Sequence, residues 1–236
     1  MTSIIKVDRI ATPDEARAFV AAGANLLGIS FGRDPRTQDG RVLSASQAGE
    51  IRTAVPQTRF SIELDAAATD PALALEAALA LRPDFLQVPL YGLARRGWMD
   101  LVLQTGAPII LDGETASYED PPNWIASALD DGKEWKPQWT QLRLLEDMSG
   151  PWSFLTTQAP QEPDERLQLE EIQSLTERYP LLLTMEVTAG EAAAFCAAFP
   201  RALGFFFRLA GDVTAPALEI IRAISEAPNE AAVLGR

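Results

Sequence analysis

The chain contains no histidine and a single cysteine, Cys196. The first absence removes Ser-His-Asp and Cys-His nucleophiles, His-ligated zinc and imidazole acid–base chemistry together. The second removes any intrachain disulfide, which suits a reducing compartment. Positive charge is scarce: 20 Lys and Arg stand against 33 Asp and Glu, a formal net charge of −13. Such a surface repels duplexes and anionic membranes, so neither nucleic acid nor membrane is expected as a partner. No apolar run approaches the ~18 residues of a spanning helix. The first residues, MTSIIKVDRIATPDE, lack the basic-then-apolar order of a signal peptide, and a cytoplasmic location is expected. No glycine-rich dinucleotide or phosphate loop follows any apolar run.

What remains is 236 residues of ordinary globular composition, 47% hydrophobic and 22% charged, too apolar for disorder. At ~150 residues per domain this allows one large domain or two small ones, and one domain over residues 1–236 is expected. Short runs rich in Ile, Leu, Val and Phe alternate with helical patterns. Strands are predicted near Ser3–Asp8, Asn25–Phe31, Arg59–Asp65, Asp84–Leu90, Pro108–Gly113, Gln141–Asp147, Leu181–Val187 and Gly204–Leu209. Helices are predicted over Thr12–Ala22, Ser44–Val55, Asp70–Ala80, Arg95–Thr105, Pro121–Asp130, Arg166–Arg178, Gly190–Ala198 and Ala215–Glu226. Thr12-Pro13-Asp14-Glu15 reads as an N-cap, a proline at the first helical position and acids in the first turn. Runs such as Leu26–Phe31 and Gly204–Phe207 are apolar throughout, as strands buried on both faces require. Eight strand–helix units of this kind predict an α/β fold, a single (β/α)8 barrel, over an open doubly wound sheet.

One stretch departs from the rhythm. Residues Thr115–Glu165 hold six prolines and four of the five tryptophans, Trp124, Trp135, Trp139 and Trp152. They read as a long Pro/Trp-rich insertion, packed on the barrel or serving as a lid or interface.

In a barrel of this class the site lies at the C-terminal ends of the strands. The polar residues predicted there include Lys6, Asp8, Arg9, Arg41, Glu63, Gln87, Asp112, Glu114, Glu146, Asp147, Glu186 and Arg208. Lys6 and Asp8 are two apart and share a strand face. Carboxylates at Asp8 and Glu146 or Asp147 can divide acid and base roles. Arginines at 41 and 208 would instead bind anions or hold carboxylates ionised. Salt-bridged closure of the mouth is the plain structural alternative for each charge. Oxygen ligands for Mg²⁺ or Ca²⁺ occur at close spacing only as Glu63-x-Asp65 and Asp112-x-Glu114, and neither metal nor cofactor is expected. Cys196, in an apolar helix, reads as a buried inert thiol.

The stretch Ile5-Lys6-Val7-Asp8-Arg9-Ile10-Ala11-Thr12-Pro13-Asp14-Glu15-Ala16, continuing to Ala22-Gly23-Ala24-Asn25-Leu26-Leu27-Gly28-Ile29-Ser30-Phe31, resembles the start of phosphoribosylanthranilate isomerase. That family reads Lys-Ile-Cys-Gly-Ile-Thr, a Pro-Glu-Asp-Ala helix, then Ala-Gly-Ala-Asp-x-Leu-Gly-Phe-x-Phe. Arg41-Val42-Leu43-Ser44-Ala45-Ser46-Gln47-Ala48 is similar to its Arg-x-x-Ser-Pro-Glu-Gln-Ala, and Asp84-Phe85-Leu86-Gln87 to its Asp-x-x-Gln. The first 51 residues match best. The resemblance implies a (β/α)8 barrel and a cofactor-free Amadori-type isomerisation, with a strand-one cysteine as base and a strand-six aspartate as acid. Asp8 stands at the cysteine and Arg9 at the glycine after it. Glu146 or Asp147 stands at the acid, Arg41 at a substrate-contacting arginine, and Lys6 and Gln87 match family residues. The family's phosphate-binding Gly-Gly and Ser-Ser-Gly are replaced by Met185-Glu186 and Arg208-Leu209-Ala210. Two functions follow. In the first, the barrel has lost the ancestral site and binds a small anionic molecule or a basic protein. In the second, it is an active isomerase using Asp8 as base and Glu146 or Asp147 as acid.

Overall fold

The computed structural model describes residues 3–31, 41–64, 71–89, 96–146, 148–157, 167–211 and 214–227. Its strands are β1 (Ile4–Asp8), β2 (Leu26–Ser30), β3 (Arg59–Glu63), β4 (Phe85–Pro89), β5 (Ile109–Ala116), β6 (Trp139–Leu144), β7 (Leu181–Thr184) and β8 (Gly204–Arg208). They close in sequence order into a barrel. Every pairing is parallel, β8 against β1 included, where Ile4 faces Gly204 and Asp8 faces Arg208. The protein is therefore a (β/α)8 barrel.

The helices are α1 (Pro13–Ala21), α2 (Ala45–Ala54), α3 (Pro71–Ala80), α4 (Arg96–Gln104), α5 (Pro122–Gly132), α6 (Pro151–Thr157), α7 (Leu169–Arg178), α8 (Ala189–Ala198) and α9 (Thr214–Glu226). Local chemistry sets their starts. Thr12 accepts from the Glu15 backbone N–H with Pro13 in the first turn, and Ser44 and Gln47 exchange hydrogen bonds in a capping box. Thr188 and Glu191 repeat that device at α8. Among the described residues no helix is long and apolar enough to cross a membrane.

The stretch 115–165 is largely barrel wall. Its described residues form the end of β5, α5, a single 3-10 turn (Lys133–Trp135), β6 and α6. Only α6 adds to the expected pattern. Trp139 lies inside the barrel, 4.3 Å from Phe85 between ring centroids. Trp152 packs edge-on against Phe195 at 5.8 Å, and Trp135 leans on the same outer core. Trp124 alone of the four is exposed, at 66%.

Alternation along the strands separates two environments. Ile5, Val7, Leu27, Ile29, Phe60, Ile62, Leu86 and Val88 face outward and meet the helices in the main core. Ile4, Leu26, Phe85, Ile110, Trp139, Leu182 and Phe206 face inward and form a separate cluster. These inward residues come early in their strands, so they plug the N-terminal end of the barrel. The inward positions that follow are polar.

β5 contains an irregularity that matters for one carboxyl. Its register against β6 shifts between Leu111 and Glu114, around Gly113 at φ 115°. The bulge places Glu114 beside Asp131 of α5, with Oε1 buried and without a hydrogen-bond partner. Burial, with some repulsion from Asp131, pushes its pKa up. The folded state thus prefers the neutral acid. That costs nothing below about pH 4, where the unfolded chain is protonated too, and costs most above the raised folded value. Glu114→Gln is expected to raise the melting temperature by about 2–4 °C at neutral pH, and the gain should disappear on titrating toward pH 4. Thermal unfolding across that range measures it.

Candidate functional site

The inward residues of the C-terminal half build one connected polar network. Lys6 on β1 donates to the carboxylate of Asp8, two residues on along the same face, and to Gln87 Oε1 at 2.7 Å. Gln141 Nε2 reaches the other Asp8 oxygen from β6 at 2.6 Å. Arg208 on β8 spans to Glu63 at 2.7 Å and to Asp112 at 2.9 Å. Arg143 on β6 takes the second Asp112 oxygen at 2.8 Å. Lys6, Gln87, Asp112 and Gln141 are wholly buried, and the remaining side chains expose no more than about a tenth of their surface. On these inward faces three carboxylates, Asp8, Glu63 and Asp112, meet three cations, Lys6, Arg143 and Arg208. The charges cancel.

Close packing holds the network in place. Gly28 lies on β2 beside it. A Cβ there would run into the Asp8 carboxylate and stand 3.1 Å from Ser61 Oγ. Burial lowers the Lys6 pKa, against the pull of Asp8. Burial raises that of Glu63, with Arg208 opposing. Burial also works against the charge on Arg208, but Glu63 and Asp112 outweigh it and hold the guanidinium firmly protonated.

Of the sequence-predicted residues, Lys6, Asp8, Gln87 and Arg208 are brought together here. Arg41 is not among them. Its guanidinium lies against α1, bidentate to Glu15 at 2.9 and 3.0 Å, and donates to the carbonyls of Arg9 and Gly211 at 3.1 and 2.7 Å. Arg41 and neighbouring hydrogen bonds lower the Glu15 pKa in spite of burial. Glu146 stands at the rim with 57% of its side chain exposed, 4.0 Å from Arg143. β6 ends at Leu144, and Leu145 turns the chain away with φ 54°. Asp147 lies outside the described residues. Glu186 is exposed beyond β7. Arg9 is 1% exposed and adopts φ 67°, a left-handed backbone that favours glycine. Cys196 is half-buried, and burial pushes its thiol pKa up to about 12, which leaves it unreactive.

The sequence reading missed Gln141 and Arg143. Both lie in the predicted strand Gln141–Asp147, and counting by twos from its first residue reaches them. Among the described residues no group of three or more His, Cys, Asp or Glu side chains is placed to hold a metal ion.

Comparison with known proteins agrees with this geometry at the level of the barrel. No protein-family model matches the chain. Over 89 residues it is 34% identical to the N-(5'-phosphoribosyl)anthranilate isomerase of Parvibaculum lavamentivorans. Over that stretch the chain is similar to phosphoribosylanthranilate isomerase. The matched stretch is 37% of this chain and 39% of that relative. In structure, the N-(5'-phosphoribosyl)anthranilate isomerase of Pyrococcus furiosus superposes with a TM-score of 0.64 at 11% identity, covering 96% of this chain and all of that one. The thiamine phosphate pyrophosphorylase of the same organism gives 0.57 at 12% identity, over 98% of this chain and 96% of that one. One isomerase-like barrel thus resembles proteins of two activities, and the residues in the mouth must carry any functional argument.

Proposed function

We propose that this isomerase-like barrel binds a ligand and no longer performs the isomerisation of its relatives. Asp8 carries the reading. It stands where the family's strand-one base belongs, yet one of its oxygens accepts from Lys6 and the other from Gln141. A base must present a lone pair to the substrate proton within hydrogen-bond reach. Here both oxygens are committed inside the protein, behind residues that leave Asp8 only 1% exposed. Lys6 and Gln87 are as deeply buried as Asp8, and of the three residues Lys6, Gln87 and Arg208 it is Arg208, about a tenth exposed, that reaches the mouth. Glu146, the described candidate for the acid, sits at the solvent rim with Arg143 between it and the network. The phosphate-site replacements point the same way: Glu186 brings a negative charge to a position that serves an anion in the family, and Arg208 is engaged by Glu63 and Asp112.

The test is turnover of N-(5'-phosphoribosyl)anthranilate, followed by loss of anthranilate fluorescence at micromolar enzyme. No consumption above the buffer rate is expected between pH 6 and 9. Turnover that vanishes in Asp8→Ala would reinstate the isomerase reading, with Asp8 as base and Glu146 or Asp147 as acid.

A further inference from the structure

Arg41 and Glu15 join parts of the chain that lie far apart in sequence. The Arg41 guanidinium gives Nη1 and Nη2 to the two Glu15 oxygens and Nη1 also to the Arg9 carbonyl. Its Nε and Nη2 both reach the Gly211 carbonyl, at 3.3 and 2.7 Å. Glu15 Oε1 accepts in addition from Thr214 Oγ1 at 3.2 Å. Gly211 follows β8 and Thr214 begins α9. The β8–α9 unit is thus tied at the mouth to α1 and to the residue four before α2. The Arg41 and Glu15 side chains are 10% and 15% exposed, so these charge-assisted bonds are only weakly screened.

The rest of the wall holds β8 unevenly. All five of its residues pair with β1, from Ile4–Gly204 to Asp8–Arg208. Its pairs with β7 are Leu182–Gly204 and Leu183–Phe205, both at the start of the strand. The mouth half, Phe206–Arg208, is therefore laddered to β1 alone, and Phe207 and Arg208 are only partly buried. Beyond it Leu209 donates to the Asp8 carbonyl at 3.1 Å, and Gly211 turns the chain with φ 55° in open space. The interior behind this strand is shut: Lys6, Gln87, Asp112 and Gln141 are 0% exposed. A solute reaches them only if part of the wall moves. Wall segments open in the order of their fastening, and a strand laddered on one side is among the first to go.

We propose that Glu15 and Arg41 form a latch on the β8–α9 unit, which opens at the mouth when the latch lets go and gives access to the buried network. Opening carries Arg208 away from Glu63 and Asp112, so those carboxylates meet water during the excursion. The latch is a property of the protein without ligand and does not depend on the binding reading above.

Native-state amide hydrogen exchange, read by NMR at a series of low urea concentrations, tests it. In the wild type the Phe206–Leu209 amides are expected to exchange ahead of Ile62, Leu86 and Leu111 in β3–β5, with a weaker urea dependence, because the opening exposes less surface than unfolding. Arg41→Met removes the latch and should speed Phe206–Leu209 exchange about 10- to 100-fold, the span of one or two charge-assisted hydrogen bonds. Arg41→Lys, which keeps the charge and loses the fork, should fall between the two and serves alone if the methionine variant does not fold. Ile125→Val lies on α5, which packs on β5 and α7 away from β8. It should speed the β3–β5 amides about 3- to 10-fold and leave Phe206–Leu209 at the wild-type rate, because opening the β8–α9 unit leaves α5 packed. Exchange of β8 in step with β3–β5 in the wild type would overturn the proposal. So would an unchanged Phe206–Leu209 rate in the Arg41 variants, or an equal acceleration of every strand by Ile125→Val.

Discussion

Asp112→Ala is expected to destabilise the protein by about 3–5 kcal/mol, the loss typical when one member of a buried ion-pair network is removed. For a chain of this size that is a fall of about 6–20 °C in melting temperature. Asp112 is 0% exposed and gives one oxygen to Arg143 and the other to Arg208. Deleting it strands two guanidiniums in the barrel. Arg208 keeps Glu63, but Arg143 retains only the distant, exposed Glu146. Water cannot replace the carboxylate where no surface is open. Asp112→Asn should fall between alanine and wild type, because the amide oxygen still accepts one bond while the charge is lost. Glu146→Ala, at the rim, should change stability by no more than about 0.5 kcal/mol. Thermal and denaturant unfolding of the three variants gives the comparison. Equal effects at 112 and 146 would mean that solvent reaches the network.

The second large effect lies in the Lys6–Asp8 pair. Lys6→Met leaves the Asp8 carboxylate with Gln141 alone, and Asp8→Asn leaves the Lys6 ammonium with amides alone. Each single change is expected to cost about 3–5 kcal/mol. The double variant carries no unpaired charge. It should be more stable than the sum of the two losses predicts, by about 0.5–3 kcal/mol. A pH series adds an independent reading. Burial depresses the pKa of Lys6, so the folded state binds fewer protons at this site than the unfolded chain does. Stability from this group therefore rises with pH until the unfolded lysine deprotonates near 10.4. That rise should be present in the wild type and missing in Lys6→Met.

The barrel was legible because its strands are buried on both faces and its helices carry their own start signals. Thr12-Pro13 and Ser44 appear in the sequence where α1 and α2 are capped. β6 was placed two residues late for a physical reason. The apolar run Leu144-Leu145 continues past the last ladder pair, Ala116 with Leu144, and Leu145 is buried by packing in a left-handed turn. Apolar character marked burial there, and burial outlasted the strand. The strand carried past Leu144 drew attention to Glu146 at its supposed end, while Gln141 and Arg143 inside it went unread. α6 went unseen because Pro151-Trp152 reads as loop, although Trp152 anchors the helix on Phe195. In the site, the two-residue spacing put Lys6 and Asp8 on one face, and Gln87 and Arg208 joined them across the barrel. The partner choices of Arg208 and Arg41 are set by tertiary geometry: Arg41 meets Glu15, 26 residues earlier, and a carbonyl 170 residues later.

The β1–β8 pairing also sets the order in which the molecule can become whole. Ile4–Asp8 leaves the ribosome well before its ladder partner Gly204–Arg208. Until that final strand emerges, β1 offers a row of unmatched backbone N–H and C=O groups, and Glu63 and Asp112 lack their arginine from β8. Between the synthesis of β1 and that of β8, a growing chain of this kind presents an open sheet edge. β8 thus acts as the clasp of the ring, and a chain cut inside it would lose closure of the barrel and Arg208, one of the three interior cations, in the same stroke.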